Sequence, residues 1–398
     1  MLSESFLTHF KDLKDPRIQN HNQRHSLEDM LTITILGSIC GADNWVDICE
    51  FAEIKYTWLK TFLKLPNGIP SHDTFGRTFS LLNPETFNEC FMKWIESLTI
   101  DISKEIIAID GKTLRGSVDK KNGKRPLHLV SAWATQNKIM LGQVKTEEKS
   151  NEIEAIPRLL NMIDIQDAII TIDAMGCQKR IAQQVIKQGG NYILSLKENQ
   201  ETLYRDVASI FSFGEERIFK KMLNRRKVEK NRGHGRSEWR RYTLISARDP
   251  LLFKLRWPGL NSIGMVETIT RTKDPADPKN TQKDIVSTYT RYFLTSLNYD
   301  QIDGFAKAAR KHWHIEIDLH WSLDVSFHED LNRSRAGHAA ENLAIVRRIA
   351  LNLLKQDKTR KVGISCKRKC AGWSNAYLLK LLAGGLTMKN NENMNNLC

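Results

Sequence analysis

The chain has 398 residues, with 60 Lys plus Arg against 46 Asp plus Glu, a formal net charge of +14 at pH 7. That length exceeds one usual core and calls for two or three domains, or one with a large insertion, while the positive balance favours a polyanionic partner over an acidic one. No apolar run reaches the ~20 residues of a membrane span, no basic segment leads into an apolar core at the N-terminus, and seven scattered cysteines suit reduced thiols rather than a disulfide framework; a cytoplasmic protein is expected.

From Phe6 to about Leu98 apolar residues recur at three- and four-residue spacing, the helical period. Ser26 and Ser71 are placed to cap helices, and Asn83-Pro84 opens another with proline in the first turn. Short helices joined by tight turns suit a helix-turn-helix DNA reader, and they suit equally a bundle that only packs.

At Glu105 the pattern changes to strands. Glu105 to Asp110, Leu127 to Thr135 and Ile139 to Lys145 read as strands, the last two joined by a hairpin turn at Gln136-Asn137-Lys138. A helix from about Asn151 to Met162 follows, then a strand at Ala168 to Asp173, a helix at Gln178 to Gln188, a strand at Tyr192 to Leu196 and a helix through Glu201 to Phe211. This order predicts a mixed sheet flanked by helices. Residues 214–288 are basic and irregular, and read as an insertion, because Tyr289 to Leu297 resumes a strand before the helix at Ile302. An amphipathic helix from about Ala339 to Leu354 precedes a basic segment and an Asn-rich tail. Cys366 and Cys370, the only close pair, lack partners at zinc-site spacing and read as incidental.

Three acids carry the chemistry. Asp110 closes the apolar run Ile106-Ile107-Ala108-Ile109, and Gly111 is expected to let the backbone turn there as the strand ends. Asp173 closes Ile169-Ile170-Thr171-Ile172 in the same way. A single Asp at a strand end is more often a turn residue, but two in matching settings point to a shared site. The third acid sits in the string His312 to Asp324, where His312, Glu316, His320 and Asp324 are spaced by four and line one helical face. Trp313, Ile317 and Trp321 line the neighbouring face, as an apolar flank that anchors the stripe. Carboxylates without cysteine favour a hard ion, Mg²⁺ or Mn²⁺, and a pair of such ions suits phosphodiester chemistry. The spacing does not match His-Glu-x-x-His, which argues against zinc.

Asp110 in Ile-Asp-Gly-Lys, Asp173 in Thr-Ile-Asp-Ala-Met, the string Ser195 to Gln200, Gly233-His234-Gly235-Arg236, and His312 through Asp330 followed by Asn342-Leu343-Ala344 together resemble the DDE transposases of insertion sequences, the H-repeat-associated group in particular. The resemblance spans nearly the whole chain. It implies an α/β, RNase H-like mixed sheet flanked by helices, with a β-rich insertion before the catalytic Glu helix and an all-α N-terminal domain. The implied divisions are a helical, transposase-associated segment at 1–98, a catalytic domain at 105–357 with its insertion at about 214–288, and a basic C-terminal segment and polar tail at 358–398.

By the same resemblance Asp110, Asp173 and Glu316 are the catalytic, metal-binding triad, for two Mg²⁺ or Mn²⁺ ions. The implied function is cleavage at the element ends and strand transfer into target DNA, by a homodimer that pairs two double-stranded ends. The wider class carries Tyr, Arg and Lys around the Glu, where this chain has Ala309, His312 and Leu323; His312 is then a candidate to replace the Arg. Lys112, Arg115, Lys197, Asn199, Arg232, His234, Arg236, His312 and His320 are candidate DNA contacts, although Lys112 and Arg115 read equally well as a solvated basic turn. Alternatives are an RNase H-like structure-selective nuclease and a non-catalytic DNA-binding relic.

Overall fold

The computed structural model describes residues 6, 8–18, 23–98, 101–146, 152–213, 222–233, 236–248, 256–272 and 285–384. The chain divides into two compact units. The first gathers Met1–Asp101, Gly111–Asn151 and Ile315–Cys398; the second gathers Ile102–Asp110 and Glu152–His314.

In the first unit the helix Leu27–Cys40 starts at Ser26, whose hydroxyl accepts the Asp29 N–H at 3.0 Å, and stops at Gly41 with φ of 113°. Every side chain from Asp29 to Ile39 is buried. A helix apolar all round is a core helix, so this one is not free to lie in a DNA groove. It packs on the helix Ala339–Gln356, buried in turn from Asn342 through Leu354. Polar groups fix the match. Asn342 donates to the carbonyls of Phe79 at 2.8 Å and Leu82 at 2.9 Å, and the Arg368 guanidinium donates to the Ser38 and Ser326 carbonyls and to Asp43.

Of the strands, β1 (Ile106–Leu114) contributes its last four residues here, and β2 (Leu127–Ala134) and β3 (Ile139–Thr146) form an antiparallel hairpin with an irregularity between Ala132 and Trp133. Asn352 on the helix Ala339–Gln356 pins β3 by accepting from the Met140 N–H at 2.9 Å and donating to its carbonyl at 3.0 Å. N-terminal helices, hairpin and C-terminal helices therefore share one core.

The second unit is a mixed sheet. The first half of β1 runs parallel to β4 (Ile169–Ile172), and β4 runs parallel to β5 (Asn191–Leu196). Next come β9 (Ile285–Thr295), β8 (Ser262–Thr272), β7 (Arg236–Ser246) and β6 (Asn224–Gly233), each antiparallel to its neighbour. The helices Glu152–Met162, Lys179–Lys187, Glu201–Phe213 and Ile302–Lys311 belong to the same unit. This is the mixed α/β architecture expected. The basic stretch is the β-rich insertion that the resemblance implied, and it holds long strands in register that extend the sheet from β5. Their inner halves are core, with Tyr242, Leu244, Val266 and Phe293 buried around Phe305. Their outer halves replace apolar packing with cross-strand pairs, Arg241 to Glu267 at 3.1 Å and Arg271 over the Trp239 ring, so high charge does not break the ladder.

Candidate active site

Asp110 and Asp173 both belong to the second unit. The register between β1 and β4 pairs Ile106 with Ile169 and ends with Ile109 opposite Ile172. Asp110 and Asp173 are the next residues on each strand, so the two acids leave parallel neighbours side by side, at the usual interstrand spacing of about 4.8 Å. Apolar burial from Ile106 through Ile109 and from Ile170 through Ile172 makes the support rigid.

After Ile172 the chain turns. The Asp173 carboxylate accepts the N–H groups of Met175 at 3.0 Å and Gly176 at 3.3 Å. Gly176 is required, because a Cβ there would stand 2.3 Å from the Ile172 side chain. The turn is braced from the end of β5, where Asn199 donates to the Ala174 carbonyl at 2.8 Å and Gln200 to that of Cys177 at 3.2 Å. Asn199, expected at DNA, thus holds the loop that carries Asp173.

Asp110 does not end its strand. β1 continues through Gly111 to Leu114, overhanging β4, because Lys112 and Leu114 are buried on the way. Lys112 is 7% exposed, and its ammonium lies 2.7 Å from Asp324, 3.1 Å from Asp330 and 3.7 Å from Glu329, all within the first unit. Burial works against that charge, but Glu329, Asp324 and Asp330 outweigh it and hold the ammonium above its ordinary value. The candidate DNA contact is therefore an internal ion-pair hub. Arg115 remains at the surface, 85% exposed, with Asp330 3.5 Å away.

Glu316 lies in the first unit, in a stretch of π-helix, Ile315–His320, that precedes the helix Trp321–Phe327. Single π turns of this kind are frequent at functional sites. Ile315 and Leu319 anchor the turn in the core, and Glu316 points outward. Its two rivals are committed elsewhere: Asp318 stands 3.5 Å from Lys355, and Asp324 pairs with Lys112. Among the described residues no ion pair holds Glu316, and partial desolvation pushes its carboxyl above the ordinary value.

The expected faces of this segment need correcting. Trp313, Ile317 and Trp321 do not anchor it; they are 45%, 61% and 59% exposed. The anchoring role falls instead to Ile315, Leu319, Leu323 and Phe327, a row also spaced by four but set two residues on from Trp313, Ile317 and Trp321.

His312 and His320 do not supply positive charge. Burial depresses His312 to about 4 and His320 to about 3, so both are neutral at pH 7. His312 meets the Thr171 hydroxyl on β4 at 3.0 Å. The cation that sequence reasoning missed is Arg291 on β9. It lies over the rings of Phe293 and Trp313, and its charge is among those that depress His312. Lys197, beyond β5, is exposed, as are Arg232 and Arg236, which flank the turn between β6 and β7. His234 lies outside the described residues.

Among the described residues no three of His, Cys, Asp and Glu stand close enough together to hold a metal ion. What fits a hard divalent ion is the donor chemistry of the Asp110 and Asp173 pair: carboxylate oxygens on a rigid sheet edge, with no thiol in the expected triad. No helix among the described residues is long and apolar enough to cross a membrane.

The chain is similar to known proteins over nearly its whole length. Residues 101–353 match the family model of the transposase DDE domain, and residues 7–95 match the model of the segment associated with it. The H repeat-associated putative transposase YhhI of Escherichia coli K12 is 38% identical over 388 residues, covering 96% of this chain and 98% of its own length. The putative transposase YncI of E. coli O157:H7 is 37% identical, covering 96% and 95%. A protein named inactive transposase YbfQ, from E. coli K12, matches 56 residues at 45% identity, covering 14% of this chain and 67% of its own length.

Proposed function

Because the chain belongs to the transposase DDE-domain family, we propose that it cuts DNA at the ends of its own insertion sequence and joins the freed 3′-hydroxyls to target DNA. The observation that carries this reading is the pair Asp110 and Asp173 leaving adjacent parallel strands at one register. Glu316 is the third member in this reading, as the acid of its segment that, among the described residues, no lysine holds. These three carboxylates would hold the Mg²⁺ or Mn²⁺ ions. When bound, such ions activate the attacking oxygen and stabilise the leaving one in a phosphodiester displacement.

The chain's own residues do the rest. The Met175 and Gly176 N–H groups and the Asn199 brace fix the turn that bears Asp173. Lys197, Arg115, Arg232 and Arg236 are exposed cations suited to phosphate contacts, which position DNA without reading its sequence. A homodimer on two double-stranded ends follows from the need to join both ends to one target.

The test is an in vitro assay with Mg²⁺ and duplexes carrying the inverted repeats that flank the reading frame. Asp110→Asn, Asp173→Asn and Glu316→Gln each abolish cleavage, and Asp318→Asn does not. Cleavage retained by Glu316→Gln and lost in Asp318→Asn would move the third ligand. Cleavage without any joined product would leave a nuclease.

A further inference from the structure

A cleft of about 500 Å³ opens in the first unit, between the turn that carries Glu316 and the residues after the helix Ala339–Gln356. Its volume is in the range of small-ligand sites, roughly 300–1,000 Å³. Its walls carry six basic side chains and two acidic ones. Both acids are already engaged: Asp318 lies 3.5 Å from Lys355, and Asp357 accepts from Thr359 and Tyr377 and lies 3.6 Å from Lys367.

Setting those two lysines against those two acids leaves four cations that face solvent, Lys138, Lys358, Arg360 and Lys361. Lys138 is presented from the turn between β2 and β3 in the left-handed conformation, φ 54°, which a lysine rarely adopts. Trp321 and Ile317 form the apolar side of the same cleft, 59% and 61% exposed. Four unneutralised cations around an open indole face are the parts of a site for single-stranded nucleic acid, in which phosphates meet the cations and an unstacked base lies on the ring. Paired bases in a duplex do not offer their faces to such a ring.

We propose that this cleft binds a short single-stranded segment of DNA, with Trp321 as the stacking platform and Lys138, Lys358, Arg360 and Lys361 as phosphate contacts. The lining includes none of the three carboxylates, and the proposal rests on the reading that DNA is the substrate. It gives Trp321, one residue beyond the π turn, the task of holding strand that has left the duplex.

The experiment measures the full-length protein binding two fluorescent duplexes, one blunt and one with a short oligothymidine overhang, across a salt series. In the unaltered protein the overhang tightens binding about tenfold, the effect of one stacked base. Trp321→Ala removes that gain and Trp321→Phe keeps most of it. Lys358→Ala with Lys361→Ala lowers the salt slope on the overhang substrate by about 0.7 per lost contact, and all variants bind the blunt duplex as before. A gain that survives Trp321→Ala and the double lysine variant, or no gain in the unaltered protein, overturns the cleft while leaving the transposase reading in place. Failure to bind either duplex overturns both. Trp321 is exposed, so unchanged thermal melting of Trp321→Ala is expected and shows that lost binding is not lost folding.

Discussion

Replacing Lys112 by Met removes one ammonium and keeps most of the buried stem. Asp324 and Asp330 then face each other across the vacated position, and Glu329 keeps its Arg348 ion pair and the nearby Arg347 charge. Breaking a buried pair by deleting one member costs about 3–5 kcal/mol. Because Asp324 and Asp330 are 36% and 24% exposed and water can relieve part of their repulsion, the low end, about 3 kcal/mol, is expected. At about 2.1 cal/mol/K of unfolding entropy per residue, a 398-residue chain melting in one transition loses about 3–4 °C. Scanning calorimetry of Lys112→Met, Asp324→Asn and the double variant measures it, and the double variant should lose clearly less than the sum of the singles. Arg115→Ala, at a position 85% exposed, serves as the control and moves the midpoint little. An unchanged midpoint for Lys112→Met, or strict additivity with Asp324→Asn, would refute the hub. So would a lower salt slope for DNA binding in the folded variant, since that would make Lys112 a phosphate contact after all.

Gly116→Ala should destabilise by about 1–3 kcal/mol, because the new Cβ would meet the backbone oxygens of Asn332 at 2.2 Å and Asp330 at 2.7 Å; denaturant melting measures it. Asp357 is held at about 2, against burial, by Thr359, Tyr377 and Lys367, below its ordinary 3.8. Its contribution, about 2 kcal/mol, is therefore complete above pH 4 and is lost as pH falls toward 2. Asp357→Asn should be less stable than the parent at pH 7 and converge on it near pH 2, as paired melts will show. Arg368→Ala should cost about 3–5 kcal/mol, since it takes the guanidinium donor from the Ser38 and Ser326 carbonyls and from Asp43, whose side chain keeps its His328 contact. Removing the residues before 105 should leave aggregated protein rather than a catalytic remnant, checked by size-exclusion chromatography, because it strips the apolar face of Ala339–Gln356.

The apolar strands were legible because three to eight buried residues in a row leave a local mark: β2, β3, β4 and β5 lie within a residue or so of where periodicity put them. Asp110 and Asp173 stood out as acids after matching apolar runs, and that the two runs are parallel neighbours is what the structure adds. What could not be read depends on partners distant in sequence. Nothing near Lys112 announces that Asp324 and Asp330, more than 200 residues on, will neutralise it, and without them a DNA contact and a solvated basic turn read equally well. The strands from Asn224 to Thr272 were expected only collectively, as the β-rich insertion the resemblance implied, because ion pairs across the ladder take the place of the alternating apolar pattern that would mark each one. The four-residue count found the spacing but not the row: Trp313, Ile317 and Trp321 read as apolar as strongly as Ile315, Leu319 and Leu323, and only packing decides which row is buried. Arg291 was missed because a lone arginine in a strand has no signature until its rings are in place.

The helix Leu27–Cys40 and the helix that buries it, Ala339–Gln356, are 316 residues apart from the end of one to the end of the other. At about 5–20 residues per second of synthesis, the first waits roughly 15–60 s on the ribosome with its apolar surface uncovered. The growing chain is thus exposed to chaperones and proteases for most of its translation, and a product truncated before residue 339 has no way to complete this core. Supply of folded protein is then set by full-length synthesis, so that a late nonsense mutation silences the gene product as thoroughly as the loss of a catalytic acid.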